Sequence, residues 1–264
     1  MQLAGKTILI TGASGGLGAA LARAFAAHGC RLLLAARRLP ELEMVASDCK
    51  QIGADSVHCF VLDVGKPESI ADVGQQIIAL YGAPNVLVHN AGISQRGLAT
   101  DTAMEVDRRI MEVNYMGMVG ITKLMLPGMV ARGSGTVVGI SSLAGLFGFH
   151  QRSAYSASKH AMVGYIDSLG LENMRFGLST LLVFPASVRT DMSINALRAD
   201  GSPNGHMDES HSKGLDADVC AAKIVRAIER GKRNLVLARK ERILLWLKKF
   251  LPSLFYKVAA RLPA

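Results

Sequence analysis

A chain of 264 residues, half of them hydrophobic, is long enough to bury a large core in one domain. Its 30 basic and 21 acidic residues give a net charge of +9, yet residues 1–222 hold 18 basic groups against 19 acidic ones while residues 223–264 hold 12 against 2. A nearly neutral body argues against a nucleic-acid partner. The four cysteines, Cys30, Cys49, Cys59 and Cys220, lack metal-ligand spacing, and the N-terminus does not resemble a cleavable secretory signal, so no metal site and reduced thiols in a cytoplasmic protein are expected.

The first predicted element is a short apolar strand, Lys6 to Ile10, running into Thr11-Gly12-Ala13-Ser14-Gly15-Gly16-Leu17-Gly18 and then an alanine-rich helix from Ala19 to Ala27. Glycines let the backbone turn tightly and approach a phosphate, and a helix N-terminus offers free N–H groups and a positive dipole end to it. Placed between a first strand and a first helix, this turn suits a pyrophosphate. The second strand, Arg31 to Ala36, ends where a dinucleotide fold reads the adenosine ribose. An acidic reader is missing there: Ala36 is followed by Arg37 and Arg38, whose guanidiniums suit a 2′-phosphate. NADP(H) is therefore favoured, NAD(H) remains possible, and the alternative is two solvated arginines at a helix start.

Further apolar runs at Val57–Leu62, Val86–His89, Gly135–Ile140, Ser179–Phe184 and Leu235–Ala238 alternate with helical stretches. With the first two strands they predict one α/β domain, a doubly wound, seven-stranded parallel sheet with helices on both faces. Just past the fifth run stands Ser142, and thirteen residues later Tyr155 and Lys159 stand four apart. On a helix that spacing sets the lysine ammonium beside the phenol, where a fixed cation favours the phenolate and lowers its pKa. A packed tyrosine beside a solvated lysine is the plain alternative.

These motifs together resemble the single-domain short-chain dehydrogenase/reductase family, whose fold is Rossmann-like. The family's Thr-Gly-x-x-x-Gly-x-Gly falls on Thr11, Gly12, Gly16 and Gly18, its adenine-contacting pair on Asp63-Val64, and its Asn-Ala-Gly turn on Asn90-Ala91-Gly92, with His89 where a second Asn is usual. Its active-site quartet falls on Asn114, Ser142, Tyr155 and Lys159. The resemblance implies hydride transfer between a nicotinamide and a carbonyl or alcohol carbon. Tyr155 would exchange the proton, Lys159 would tune it and hold the nicotinamide ribose, Ser142 would donate to the carbonyl oxygen, and Asn114 would position a water. A later motif departs: the family's Pro-Gly is Pro185-Ala186 here, followed by Val188 and Thr190 as expected, and a Cβ at 186 would strain a turn that needs positive φ. Adjacent Ser141 is one residue too early and reads as a turn former.

Residues 191–214, rich in Ser, Asn, Gly and Asp with scattered Met192, Ile194, Leu197 and Met207, read as a substrate lid closing the domain of residues 1–238, or as an ordinary surface loop. His150, Gln151 and Arg152 lie where substrate walls are often built. Residues 239–264 form a basic extension in which Ile243, Trp246, Leu247, Phe250, Leu251 and Leu254 fall at helical spacing, with Pro252 breaking the helix. Such a segment, over residues 240–262, suits an anionic membrane surface, its own domain, or a second subunit of a homodimer or homotetramer. Its longest uninterrupted apolar stretch falls far short of the ~20 residues needed to span a bilayer, and Pro252 breaks its helix. The expected ligand is a small, hydrophobic carbonyl or alcohol, and the competing class is a silent NADP(H)-binding scaffold.

Overall fold

The computed structural model describes residues 1–260, so residues 261–264 of the predicted extension lie outside the described residues. The strands are β1 (Thr7–Thr11), β2 (Arg31–Ala36), β3 (Ser56–Val61), β4 (Val86–His89), β5 (Gln95–Arg96), β6 (Gly135–Ile140), β7 (Leu178–Pro185), β8 (Leu197–Arg198) and β9 (Asn234–Leu237). The helices are α1 (Gly16–Ala26), α2 (Leu39–Ile52), α3 (Pro67–Tyr81), α4 (Met104–Met111), α5 (Gly117–Arg132), α6 (Ser153–Asn173), α7 (Glu209–Ser212), α8 (Ala217–Glu229), α9 (Arg242–Phe250) and α10 (Pro252–Ala259). The predicted seven strands form one sheet in the order β3-β2-β1-β4-β6-β7-β9, parallel at every pairing. β5 and β8 pair separately.

The alternation of side chains along each strand explains why helices cover both faces. Ile8, Ile10, Leu32 and Leu34 pack with α1, α2 and α8 residues such as Leu21, Leu42 and Ile224. Leu9, Leu33, Leu87 and Val137 point the other way, against Ile77 of α3 and Ile121 and Met125 of α5. The chain leaves β1 toward β2 and β3, then returns to place β4 on the other side of β1. That reversal opens a crevice at the carboxyl ends of β1 and β4, where ligands of doubly wound sheets bind.

Strand boundaries differ from the sequence reading by a residue or so. β1 continues through Thr11 because that residue pairs with Ala35, and β3 begins at Ser56, opposite Arg31. Helix α1 starts at Gly16 rather than Ala19, inside the glycine turn itself.

The C-terminal extension forms two helices, broken at Leu251 ahead of Pro252 as anticipated. Leu244 and Phe255 are the buried residues, set against Phe147, Met162 and Phe184, while Ile243, Trp246, Phe250, Leu251 and Leu254 stay exposed. The break rotates α10 relative to α9, so one helical wheel cannot run through both. Among the described residues no helix is long and apolar enough to cross a membrane.

Candidate active site

The crevice between β1 and β4 is closed by hydrogen bonds from two short turns. Thr11 Oγ1 accepts from the Asn90 and Ala91 amides, each at 3.1 Å, and donates to Val88 O at 3.3 Å. Asn90 Nδ2 donates to Thr11 O at 3.0 Å and Gly12 O at 3.1 Å. The turns are so close that glycine is required: a Cβ on Gly12, whose φ is +67°, would lie 2.8 Å from Ala91 Cα, and one on Gly18 would lie 2.2 Å from Gly12 O. Gly15 leads α1 with no side-chain cap, and the first turn holds no acidic residue, leaving those N–H groups available to an anion. Ser14 is half-buried, and the Leu17 side chain belongs to the core, so only its backbone is left for a ligand.

Around this loop the other predicted binding residues take different places. Arg37 and Arg38 are both exposed; Arg38 pairs with Glu41 at 3.0 Å and its Nη2 stands 3.5 Å from the position of a Gly15 Cβ. Asp63 uses its carboxylate to cap its own turn through Gly65 N at 2.9 Å and faces Arg109 at 3.6 Å. Val64 is buried, and its carbonyl sits 2.2 Å from where Gly117 would carry a Cβ. Thr190 reaches the loop too, its Cγ2 3.0 Å from a Gly16 Cβ position. Val188 is buried and its carbonyl meets His211 Nδ1 at 3.1 Å. The strain expected at Ala186 is absent: among the described residues Gln151 alone of the non-glycines has positive φ, and Ala186 N donates to Leu237 O at 2.8 Å as an extended strand would.

Asn114, Ser142, Tyr155 and Lys159 converge beside this crevice. Asn114 lies in a single π-helical turn, Glu112–Met116, between α4 and α5. It is fully buried, accepts from Ile93 N at 2.8 Å, and donates to Ile93 O at 2.9 Å and Ser158 Oγ at 3.0 Å. Both amide hydrogens are thereby used, so only the second lone pair of Oδ1 is left for a water. Ser158 passes the link on by donating to Tyr155 O at 2.8 Å. Gly92 lies against the same group, since a Cβ there would stand 3.1 Å from Asn114 Oδ1 and 3.6 Å from Lys159 Nζ.

Ser142 leads a short 3-10 turn after β6; its Oγ accepts from Ala144 N at 3.1 Å and lies 3.4 Å from Pro185 O. Ser141 is structural, donating to Lys159 O at 3.2 Å. Lys159 Nζ donates to Ile140 O at 2.8 Å, leaving two of its three hydrogens, and burial holds its pKa down to about 8. For Tyr155 the electrostatics differ from the sequence expectation. Burial is the largest influence and raises its pKa; the opposing pulls come from Arg152, the Ser142 hydroxyl and Arg96 rather than from Lys159.

His89, in the position of the usual second Asn, is fully enclosed and held neutral by burial, with its pKa down to about 3. Its Nε2 meets Thr122 Oγ1 at 2.8 Å; because that hydroxyl donates to Met118 O, the imidazole is assigned as donor. Sequence reasoning missed Ser158, Arg96 and Asp208. Arg96 and Asp208 are ion-paired yet 112 residues apart, and no short motif announces them.

The chain matches the sequence model of the short chain dehydrogenases over residues 6–200. It is 41% identical to the dehydrogenase/reductase SDR family protein 7-like of Drosophila melanogaster, covering 98% of this chain and 81% of that one. It is 38% identical to the dehydrogenase/reductase SDR family member 7B of Bos taurus, over 96% of this chain and 80% of the other. Among solved structures, a short-chain dehydrogenase from Streptomyces avermitilis aligns with a TM-score of 0.80 at 30% identity, over 97% and 95% of the two chains. The fold is shared as well with a short-chain dehydrogenase/reductase from Burkholderia phymatum determined with NAD, TM-score 0.85 at 23% identity over 96% of both chains. The glycine crevice, the sheet order and these matches make this chain a member of the short-chain dehydrogenase/reductase family, an NAD(P)-dependent oxidoreductase of CH–OH groups.

Proposed function

We propose that the chain interconverts a secondary alcohol and a ketone on a largely hydrophobic substrate, with NADP(H) as its preferred cofactor. The observation that carries this reading is the convergence of Ser142, Tyr155 and Lys159 at the crevice whose floor is the glycine turn. The close approach at Gly12 and Gly18 and the uncapped start of α1 fit a pyrophosphate-bearing dinucleotide held by Thr11 to Gly18, with Asp63-Val64, Asn90 to Gly92, and Pro185, Val188 and Thr190 along its length. When bound, the nicotinamide supplies the hydride chemistry.

The protein's own part is orientation and proton transfer. In reduction, the Tyr155 hydroxyl gives its proton to the carbonyl oxygen as that oxygen becomes negative; in oxidation, Tyr155 takes the proton from the alcohol. Burial keeps the phenol protonated, the state a proton donor needs. Ser142 donates to the same oxygen and stabilises its developing charge. Lys159 spends one hydrogen on Ile140 O and has two for ribose hydroxyls. Asn114 locks the end of the Gly92–Ile93 segment to α6 through Ser158 and so fixes the floor on which Lys159 stands.

Preference for NADP(H) rests on the absence of an acidic residue after β2 and on Arg38 beside Gly15, with Arg37 next to it. Residues 191–214 act as the lid: they reach across to β5 through the β5–β8 ladder and through Asp208. The exposed Trp246, Phe250 and Leu254 with Lys249 and Lys257 favour a second property, attachment of the 239–264 extension to an anionic membrane surface. A homodimer or homotetramer using the open edge of β9 would cover part of the same surface.

The test is a titration of the purified protein with NADPH and NADH, followed by a screen of ketones with the winning cofactor. Tighter NADPH binding and turnover of apolar ketones support the reading. NADPH binding with no turnover of any ketone would favour the silent NADP(H)-binding scaffold, and binding of neither cofactor would contradict the reading.

A further inference from the structure

Beside the phenol lies a charged cluster that the reaction as described does not use. Arg152 is the residue at the start of α6, three before Tyr155; Arg96 sits on β5; Asp208 immediately precedes α7 in the 191–214 segment. Their side chains are only 11%, 7% and 11% exposed. Two cations thus share one carboxylate in a nearly closed space.

The sharing is unequal. Arg96 has partners for four of its five N–H groups: Nε donates to Asp208 Oδ2 at 2.7 Å, Nη2 donates to the same oxygen, and Nη1 donates to Ser94 Oγ at 2.9 Å and Gln95 O at 2.5 Å. Arg152 has only a distant charge contact, Nη2 to that same Oδ2 at 3.7 Å, beyond hydrogen-bond reach, and a ring contact with Phe149 at 5.8 Å. Its Nε is buried with no partner. Burying a guanidinium with donors unpaired is costly, and such a group marks a place where a ligand completes the set.

Burial brings Arg152 down to about 10, with Arg96 pushing the same way, and both arginines oppose the burial effect on Tyr155. Arg152 stands about one turn before Tyr155 at the start of α6, so its charge bears on the phenol that the Ser142 hydroxyl also meets. The backbone is committed to this placement: Gln151, the residue just before, has φ 57°, a conformation costing on the order of 1 kcal/mol, and its carbonyl accepts from Gly97 N at 3.1 Å, tying the two arginine-bearing segments together.

We propose that Arg152 is the docking group for an oxyanion, a carboxylate or a phosphate, that the substrate carries beside its reacting carbon. The Arg96–Asp208 pair is the support that holds the 191–214 segment and Arg152 in register. The substrate class is then amphipathic, an apolar body with an anionic head close to the ketone. This rests on the reading of Tyr155 and Ser142 as the groups that meet the reacting oxygen.

The test uses three aryl ketones with one common body, differing only in the group beside the carbonyl: methyl, carboxylate or methylene phosphonate. Calorimetry measures their binding to the purified full chain, and steady-state assays with NADPH measure kcat/KM. The expected result is about tenfold or more tighter binding of one anionic ketone over the methyl ketone, the larger gain distinguishing carboxylate from phosphate. Arg152→Gln should erase that ratio, and Arg152→Lys should restore part of it, which guards against a variant that has merely lost its fold. Equal binding of charged and neutral ketones by the unaltered protein, or a ratio that survives Arg152→Gln, would overturn the proposal. If the anionic ketones bind through Arg152 and none is reduced, the assignment of turnover fails while the anion site stands.

Discussion

Lys159 approaches Tyr155 over the face of the ring, its Nζ 5.8 Å from the ring centroid, while its hydrogen bond goes to Ile140 O at 2.8 Å. The lysine is thus held by the strand end rather than by the phenol. It is a fixed, buried group, and the Tyr155 phenol keeps its proton because burial outweighs the neighbouring cations.

That burial has a measurable consequence for stability. The Lys159 pKa falls from 10.5 in the unfolded chain to about 8 in the folded one, so between those values the unfolded chain binds more protons and stability rises with pH. Below pH 8 both forms are charged and the penalty is constant. From about pH 7.5 to about pH 9.5 the unaltered protein should gain about 2 kcal/mol relative to Lys159→Met, read as the difference in urea midpoints. Taking the difference cancels the buried thiols, such as Cys30, which is pushed up to about 12 and acts in the opposite sense. An unchanged difference would show that Lys159 is solvated.

The cofactor assignment is tested at the end of β2. Arg37→Ala combined with Arg38→Ala should weaken NADPH binding by roughly 10- to 100-fold, the value of one or two charge-assisted hydrogen bonds, and leave NADH binding within about threefold. Fluorescence titration reads both. Equal losses for the two cofactors would mean the arginines do not meet a ribose phosphate.

Gly18→Ala should destabilise the fold by more than about 2 kcal/mol, since its Cβ would stand 2.2 Å from Gly12 O, a backbone atom that cannot move without unseating the loop. Thermal unfolding measures it. A variant as stable as the parent would show that the turn is looser than its contacts indicate.

The extension can be divided by two substitutions. Phe255→Ala, at a side chain packed against Phe147 and 3% exposed, should cost about 3–5 kcal/mol. Trp246→Ser, at a side chain 54% exposed, should cost little stability and reduce sedimentation with vesicles rich in anionic lipid. If the unaltered protein does not sediment with such vesicles, the exposed aromatic face serves another contact.

Much of this architecture was legible in the chain because parallel strands buried on both faces read as continuous apolar runs, as at Leu32 to Ala36, and because a glycine turn between a strand and a helix has few other uses. Ser142, Tyr155 and Lys159 stood out by their spacing, whereas Asn114 was picked out only through the family resemblance. What spacing could not carry was pairing across the fold. Arg96 and Asp208 meet only because β5 and β8 lie side by side, and nothing local to either residue encodes that. In the tail, the apolar stripe and the break at Pro252 were legible, but the two buried positions were not: Leu244 and Phe255 fall on either side of the turn at Leu251 and are selected by packing against Phe147, Met162 and Phe184. The phenol's environment was also beyond reach, since its strongest opposing cation, Arg152, acts through placement at the start of α6.

The central claim is that Tyr155 passes the proton in a hydride transfer. Its most direct test is single-turnover oxidation of bound NADPH by a ketone found in the screen, comparing the unaltered protein with Tyr155→Phe. The account predicts that the variant binds NADPH as before and loses turnover by roughly 10²- to 10⁴-fold. Turnover that persists unchanged in Tyr155→Phe, with NADPH still bound, would contradict it.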